Sequence, residues 1–164
     1  LIVISGGSIM GLITRSEMRS YMECDGVLCE IGEGFTDLTE NKNPKEYARQ
    51  YIHESTERTD LVGFAPSITY AFDVYDADMV QKKLLDLTTG EAVGEDAVVS
   101  VVTAFLFKKG SAEGRVPAMR RSYTVCPAKL GSGTDALICS GTLKACGDAV
   151  SGELDTEKLC FIEA

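Results

Sequence analysis

The sequence predicts a mainly β fold, a β-sandwich or partial barrel with one flanking α-helix over about 76–88 and a long charged loop over about 40–60. Three observations carry this. Ser67–Tyr75 alternates strictly between apolar and polar residues, the period of a half-buried strand. Asp25-Gly26 stands between two short runs, a hairpin signal. The remaining apolar runs are short and separated by turn residues, and one stretch alone carries a helical apolar stripe.

In chain order, Met18–Cys24 and Val27–Ile31 flank Asp25-Gly26, where both turn positions need positive φ. Phe35–Thr39 reads as a short strand after Gly32 and Gly34. Glu40–Thr59 is dense in charge with aromatic residues interleaved. Pro44 suits the first turn of a helix, but the weak apolar periodicity points instead to an extended loop or a β-arm. A loop of that length in a compact domain is usually functional or ordered by a partner. In Ser67–Tyr75, Ile68, Tyr70, Phe72 and Val74 share the buried face, leaving Ser67, Thr69, Ala71 and Asp73 on the wet one.

The helix follows, with Asp76 as N-cap, Asp78 complementing the dipole, and Val80, Leu84 and Leu87 as its stripe. Gly90 supplies a left-handed stop. Asp96–Phe107 is apolar on both faces and reads as a central strand covered on both sides. Lys108–Gly114 is a turn, and Arg115–Cys126 is a strand whose Pro117 implies an exposed or bulged start. Ala128–Gly133 is a loop before the strand Ala136–Cys146, with Leu137, Cys139, Gly141, Leu143 and Ala145 on one face. Gly147-Asp148 and Ser151-Gly152 read as turns, and Lys158–Ile162 as the last strand.

A chain of 164 residues has the length of one domain with a real hydrophobic core. Its 45% hydrophobic and 25% charged residues are ordinary for a globular protein. The net charge of -9 repels phosphate, which disfavours sequence-general nucleic-acid binding and anionic membrane surfaces. No apolar run approaches a membrane-spanning length. Residues 1–9 read as a translated leader, because Gly6-Gly7 can be encoded as a ribosome-binding sequence just ahead of the Met10 codon. A short apolar arm docking on a neighbour is the alternative. Residues 10–164 are then one domain.

Catalytic constellations are scarce. His53 is the sole histidine, so a Ser/His/Asp triad or a Cys-His pair would have to use it. It sits among Tyr51, Ile52, Glu54 and Ser55 with no nucleophile elbow nearby, and reads as an exposed loop residue. Gly32-Glu33-Gly34 and Gly131-Ser132-Gly133 lie outside any βαβ unit, so they are not phosphate cradles. The six cysteines include no C-x-x-C pair and supply no zinc-ligand spacing. They read as small buried hydrophobes in a reducing compartment, with Cys24 and Cys29 open to either a free or a bridged state across the hairpin. The expectation is a protein that is not an enzyme and binds no cofactor or metal.

The run from Gly34-Phe35-Thr36-Asp37-Leu38-Thr39 through Asn43-Pro44-Lys45-Glu46-Tyr47-Ala48-Arg49-Gln50-Tyr51-Ile52 resembles bacteriophage tail tube (major tail) proteins of phages of Gram-positive bacteria. The resemblance continues through Glu57-Arg58-Thr59-Asp60 and Gly63-Phe64-Ala65-Pro66-Ser67-Ile68-Thr69-Tyr70. Gly141-Thr142-Leu143-Lys144-Ala145, with Gly147 and Val150-Ser151-Gly152, is similar to the closing strand of the same proteins. These patches cover about a quarter of the chain.

The resemblance implies a β-sandwich flanked by a helix. It implies a virion structural protein, made in the host cytoplasm, whose copies form hexameric rings stacked into a hollow tail tube. Its partners are then itself, the tape-measure protein and other tail proteins. DNA passes through the lumen without specific binding, and no membrane is involved.

A ring needs edge strands that pair between neighbours, and stacked rings need an arm that reaches the next ring. Glu40–Thr59 is the candidate arm, with Tyr47 and Tyr51 as anchors and Lys45, Arg49, Glu54 and Arg58 setting register. The alternative is a solvated loop with two tyrosines lying on the protein's own surface. Ser67, Thr69, Ala71 and Asp73 are the candidate lumen face, with Asp73 repelling phosphate around each ring; the alternative is a wet face outside the tube. Two other functions fit a β-rich chain: a decoration or tail-terminator protein, and a small cytosolic binding module.

Overall fold

The computed structural model describes residues 11–164, so the expected leader over 1–9 lies outside the described residues. A short turn, Arg15–Glu17, leads into β1 (Met18–Cys24) and β2 (Val27–Glu30). Asp25 and Gly26 between them have φ of 51° and 79°, the left-handed pair that the hairpin needs. Next come β3 (Phe35–Asn41), β4 (Pro44–Arg49), β5 (Arg58–Phe64) and β6 (Ser67–Asp73). The helix α1 (Met79–Thr89) precedes β7 (Val98–Phe105), β8 (Arg115–Leu130), β9 (Ile138–Ala145), β10 (Val150–Asp155) and β11 (Cys160–Glu163).

The main sheet runs in the order β2-β1-β7-β8-β9-β6-β3, antiparallel at every step, and curls into a half-barrel. β8 organises it. One edge of β8 pairs with β7. The other edge is shared: its first half carries β10, from Arg115↔Asp155 to Arg120↔Val150. Its second half carries β9, from Tyr123↔Ala145 to Leu130↔Cys139. The chain leaves this edge over 146–149, and the Cys146 N–H donates to the Ser122 carbonyl at 2.8 Å as it departs. From β9 the sheet continues to β6 and β3; from β10 it continues to β11.

This division builds two apolar clusters on opposite faces of β1 and β7, since neighbouring strand residues face opposite ways. Met22 and Val101 join the larger one, with Ile68, Tyr70, Phe72, Cys139 and Leu143, and with Val80 and Leu84 of α1. Tyr21 and Val102 join the smaller, with Ala104, Ala118 and Leu154, packed against Phe161. β7 is therefore covered on both faces, as its apolar sequence requires. The alternation of β6 is also as expected: Ile68, Tyr70 and Phe72 are buried, and the intervening residues are half-buried.

Several local readings change. The N-cap of α1 is Asp78, not Asp76; its carboxylate accepts from the Gln81 N–H at 2.9 Å. Three residues before the cap, Tyr75 is held in a clamp. The Gln81 side chain, fully buried, accepts from the Tyr75 N–H at 2.6 Å and donates to the Glu33 carbonyl. Gly34 (φ 76°) lies against this amide, where a Cβ would come within 2.5 Å of Gln81 Nε2. The helix also ends one residue later than read. Gly90 stays right-handed (φ -81°), and Glu91 (φ 48°) takes the left-handed position. The Glu91 N–H donates to Thr88 and the Ala92 N–H to Leu87, the paired bonds of a Schellman cap.

Ser151-Gly152 is strand rather than turn. Gly152 sits in β10 because the Phe161 ring of β11 occupies its face; a Cβ there would fall 2.6 Å from a ring carbon. β8 does not stop at Cys126 but passes a bulge between Pro127 and Lys129 and ends at Leu130. The cysteines are all free, including Cys24 and Cys29. Cys24 and Cys139 are buried as expected, but Cys146 and Cys160 are exposed, the first just past the end of β9 and the second at the start of β11.

Gln81→Leu keeps the volume but leaves the Tyr75 N–H and the Glu33 carbonyl without partners. Denaturant unfolding is expected to show a loss of roughly 1–3 kcal/mol, from two unmet, part-buried groups. Burial first, then the neighbouring Cys29, push the Cys24 thiol up to about 11. Burial also raises the Cys139 thiol. Alkylation of the native protein at neutral pH is therefore expected to label Cys146 and Cys160 well ahead of Cys24 and Cys139, read by mass spectrometry.

Candidate assembly surface

The charged stretch expected as a loop over 40–60 is a β-arm, the other form its sequence allowed; Pro44 opens a strand, not a helix. Alternating partners explain this. Tyr47↔Asp60, Ala48↔Thr59 and Arg49↔Arg58 pair across β4 and β5, and a bulge lies between Lys45 and Glu46. β4 and β5 form a two-stranded sheet of their own, separate from the main one. Nearly every residue of both strands is exposed. At the base, Asn43 (φ 45°) donates from Nδ2 to the Ala65 carbonyl and to Ser67 Oγ, each at 3.1 Å. The Ala65 N–H returns a bond to the Asn43 carbonyl at 3.1 Å, so the root of the arm is fixed to β6.

Five of the six residues expected to make inter-ring contacts come together near the tip. Arg49 Nε donates to Tyr51 Oη at 2.8 Å. Its guanidinium lies 5.1 Å from the Tyr47 ring centre and 5.5 Å from that of Tyr51. Arg58 stands 6.0 Å from the Tyr51 ring and pairs with Glu54 at 2.5 Å. Lys45 is the one set apart, opposite Gly63 at the base. Tyr47 is 55% and Tyr51 47% exposed.

Sequence reading missed two members of this cluster. Asp60 pairs with Arg49, a contact that only the register of β4 on β5 reveals. His53 stacks on Tyr51 with ring centres 6.2 Å apart and lies 3.8 Å from Glu54. It also missed the exposed apolar side chains Ile52, Leu61, Val62 and Phe64. In sequence these look like core residues of an ordinary strand; here no core lies beneath them.

Ser67, Thr69, Ala71 and Asp73 do share the face of β6 turned away from the core. Their register neighbours extend that face. Thr39, Thr69 and Thr142 form one row across β3, β6 and β9. Asn41, Ser67, Lys144 and Thr124 form the next, and Asp37, Ala71, Ser140 and Lys129 a third. The face is thus built of small polar side chains and carries charges of both signs, Asp37 and Asp73 from β3 and β6 and Lys129 and Lys144 from β8 and β9. It is not uniformly acidic, because the lysines arrive from β8 and β9, whose register on β6 is not written in the local sequence.

The described residues include no group of three or more His, Cys, Asp or Glu arranged to hold a metal ion. Neither a protein-family model nor a curated protein matches the chain. The fold is similar to a chain in the cryo-EM structure of the anti-feeding prophage (AFP) baseplate, 6-fold symmetrised, at 10% identity and a TM-score of 0.48. The match covers 92% of this chain and 99% of that chain. A likeness this remote assigns no function.

Arg49→Met removes the bond to Tyr51, the pairing with Asp60 and the cation over two rings. The Tyr47 and Tyr51 ring resonances are then expected to move toward free-tyrosine shifts in NMR spectra. Methyl resonances of Val101 and Leu84, in the body, are expected to stay in place.

Proposed function

We propose that the chain is a structural subunit that polymerises with copies of itself into a tail-type tube, rings stacked by the β-arm. The observation that carries this reading is the arm itself: two strands paired only with each other, holding an aromatic-cationic cluster and four large apolar side chains in solvent. An isolated two-stranded hairpin is marginal in water, so an arm of this kind gains order from a partner surface. Interfaces favour tyrosine and arginine at their centres, the residue types gathered at its tip. The resemblance of 34–52, 57–60 and 63–70, and of 141–145, Gly147 and 150–152, to phage tail tube proteins points the same way and supplies the hexameric ring.

In this reading Tyr47 and Tyr51 anchor the arm on the next ring, and Arg49, Glu54 and Arg58 fix its register, with Lys45 at the root. The β6 face bearing Ser67, Thr69, Ala71 and Asp73 lines the bore. Its small hydroxyl groups and balanced charges leave few places for a phosphate to stick, so DNA slides past without specific binding. The tape-measure and other tail proteins are the further partners, and the assembly belongs to a virion tail built in the host cytoplasm. The chain carries out no reaction of its own.

Electron microscopy of the purified protein tests this. Long uniform tubes are expected. Closed rings that do not stack would favour a terminator or decoration role, and monomers at every concentration a small binding module. Tyr47→Ala with Tyr51→Ala is expected to leave the body's circular dichroism and unfolding midpoint unchanged while shortening or abolishing tubes.

A further inference from the structure

The half-barrel does not close. β2 covers β1 only over Tyr21–Cys24, and the last bond between them runs from the Ile31 N–H to the Ser20 carbonyl at 2.8 Å. Beyond that point the edge of β1 over Met18–Ser20 has no strand beside it among the described residues. β3 ends the sheet on the other side, paired through β6 alone. The two free edges face each other across a cleft of about 480 Å³, floored by Ile31, Phe35 and Leu38. Arg15 spans it. Its Nη1 donates to the Met18 carbonyl at 2.6 Å and its Nη2 to the Leu38 carbonyl at 3.0 Å. One guanidinium thus satisfies a carbonyl on each edge where a strand would otherwise satisfy several.

We propose that this seam between β1 and β3 receives a strand of the β-arm from a second copy, displacing the Arg15 bridge. The proposal deepens the self-assembly reading and rests on it. Two open edges with unmet backbone groups form a site for strand addition. The arm is the piece of the described chain that lacks what the seam offers, since β4 and β5 pair with nothing beyond each other. Lengths match: β3 and β5 have seven residues each. Chemistry matches as well. β5 exposes Leu61, Val62 and Phe64. The seam has an apolar floor and a rim of mixed charge, Arg15, Arg19, Glu30 and Asp37, with Arg19 paired to Glu30 at 3.6 Å, and the arm's Arg58 and Asp60 bring both signs to it. The chain's own arm does not fill the seam, because Asn43 ties its root to Ala65 and Ser67.

A photo-cross-linking benzophenone amino acid placed at the exposed Thr36 reports what occupies the seam. Full-length protein carrying it is mixed with isotope-labelled wild type, irradiated, and split for sedimentation and peptide mass spectrometry. The expected product joins Thr36 to residues 58–64 of the labelled partner, and grows with concentration. A second variant with the probe at Arg19 gives the same product if the probe at Thr36 perturbs β3. A link to the chain's own residues before Arg15, or to any partner surface other than the arm, overturns the proposal. So does the absence of links in protein that sediments as an assembly, and that result leaves self-assembly standing. Arm-to-seam links without tubes in the microscope support the seam and refute the tube. No links and no assembly refute both.

Discussion

Every strand edge has to find partners for its backbone groups, and the sixteen-residue β8 is where this demand shapes the molecule. No single neighbour spans its outer edge. β9 and β10 divide it, and the chain steps away from the edge between them. That step sends β6 and β3 around one apolar cluster and β11 over the other. β7, on the opposite edge of β8, is then buried on both faces, and its run of valines follows from that position. The helix has a smaller part: it covers one end of the larger cluster and is held there by Gln81, a buried amide that also fixes the approach to β3 and the exit of β6.

The same accounting separates the body from the arm. Within the body, the open stretches of edge flank the seam, and Arg15 bridges part of it. The arm has two outer edges and no layer beneath it. Beyond the ladder of β4 on β5, its internal contacts are cation–π pairs and ion pairs whose cationic or anionic partner is open to water, such as Arg58 with the largely covered Glu54. A body that carries its own core, bearing an arm that has none, is the arrangement expected of a subunit whose order is finished by another copy.

Much of this was legible in the sequence where local chemistry decides. Asp25-Gly26, the alternation of Ser67–Asp73 and the doubly apolar β7 each needed only their own residues. The ends of α1 were less legible, because Asp76 and Asp78 are equally good caps alone and the choice falls to a clamp with Glu33 and Tyr75. Gly152 reads as a turn residue until Phe161 is seen to lie across it. The arm cluster was partly legible: Tyr47, Arg49, Tyr51, Glu54 and Arg58 stood out by type, whereas Asp60 belongs to it only through strand register. Lys129 and Lys144 were invisible for the same reason, since the strands must be aligned before they appear on the same face as Asp37 and Asp73.

The central claim, that the arm depends on a second copy for its order, is tested most directly by amide hydrogen exchange resolved along the chain at rising protein concentration. The account predicts that 44–64 exchanges quickly in the dilute monomer while β7 and β8 are strongly protected, and that protection of 44–64 rises steeply as copies associate. Protection of the arm equal to that of β7 in a proven monomer would contradict it.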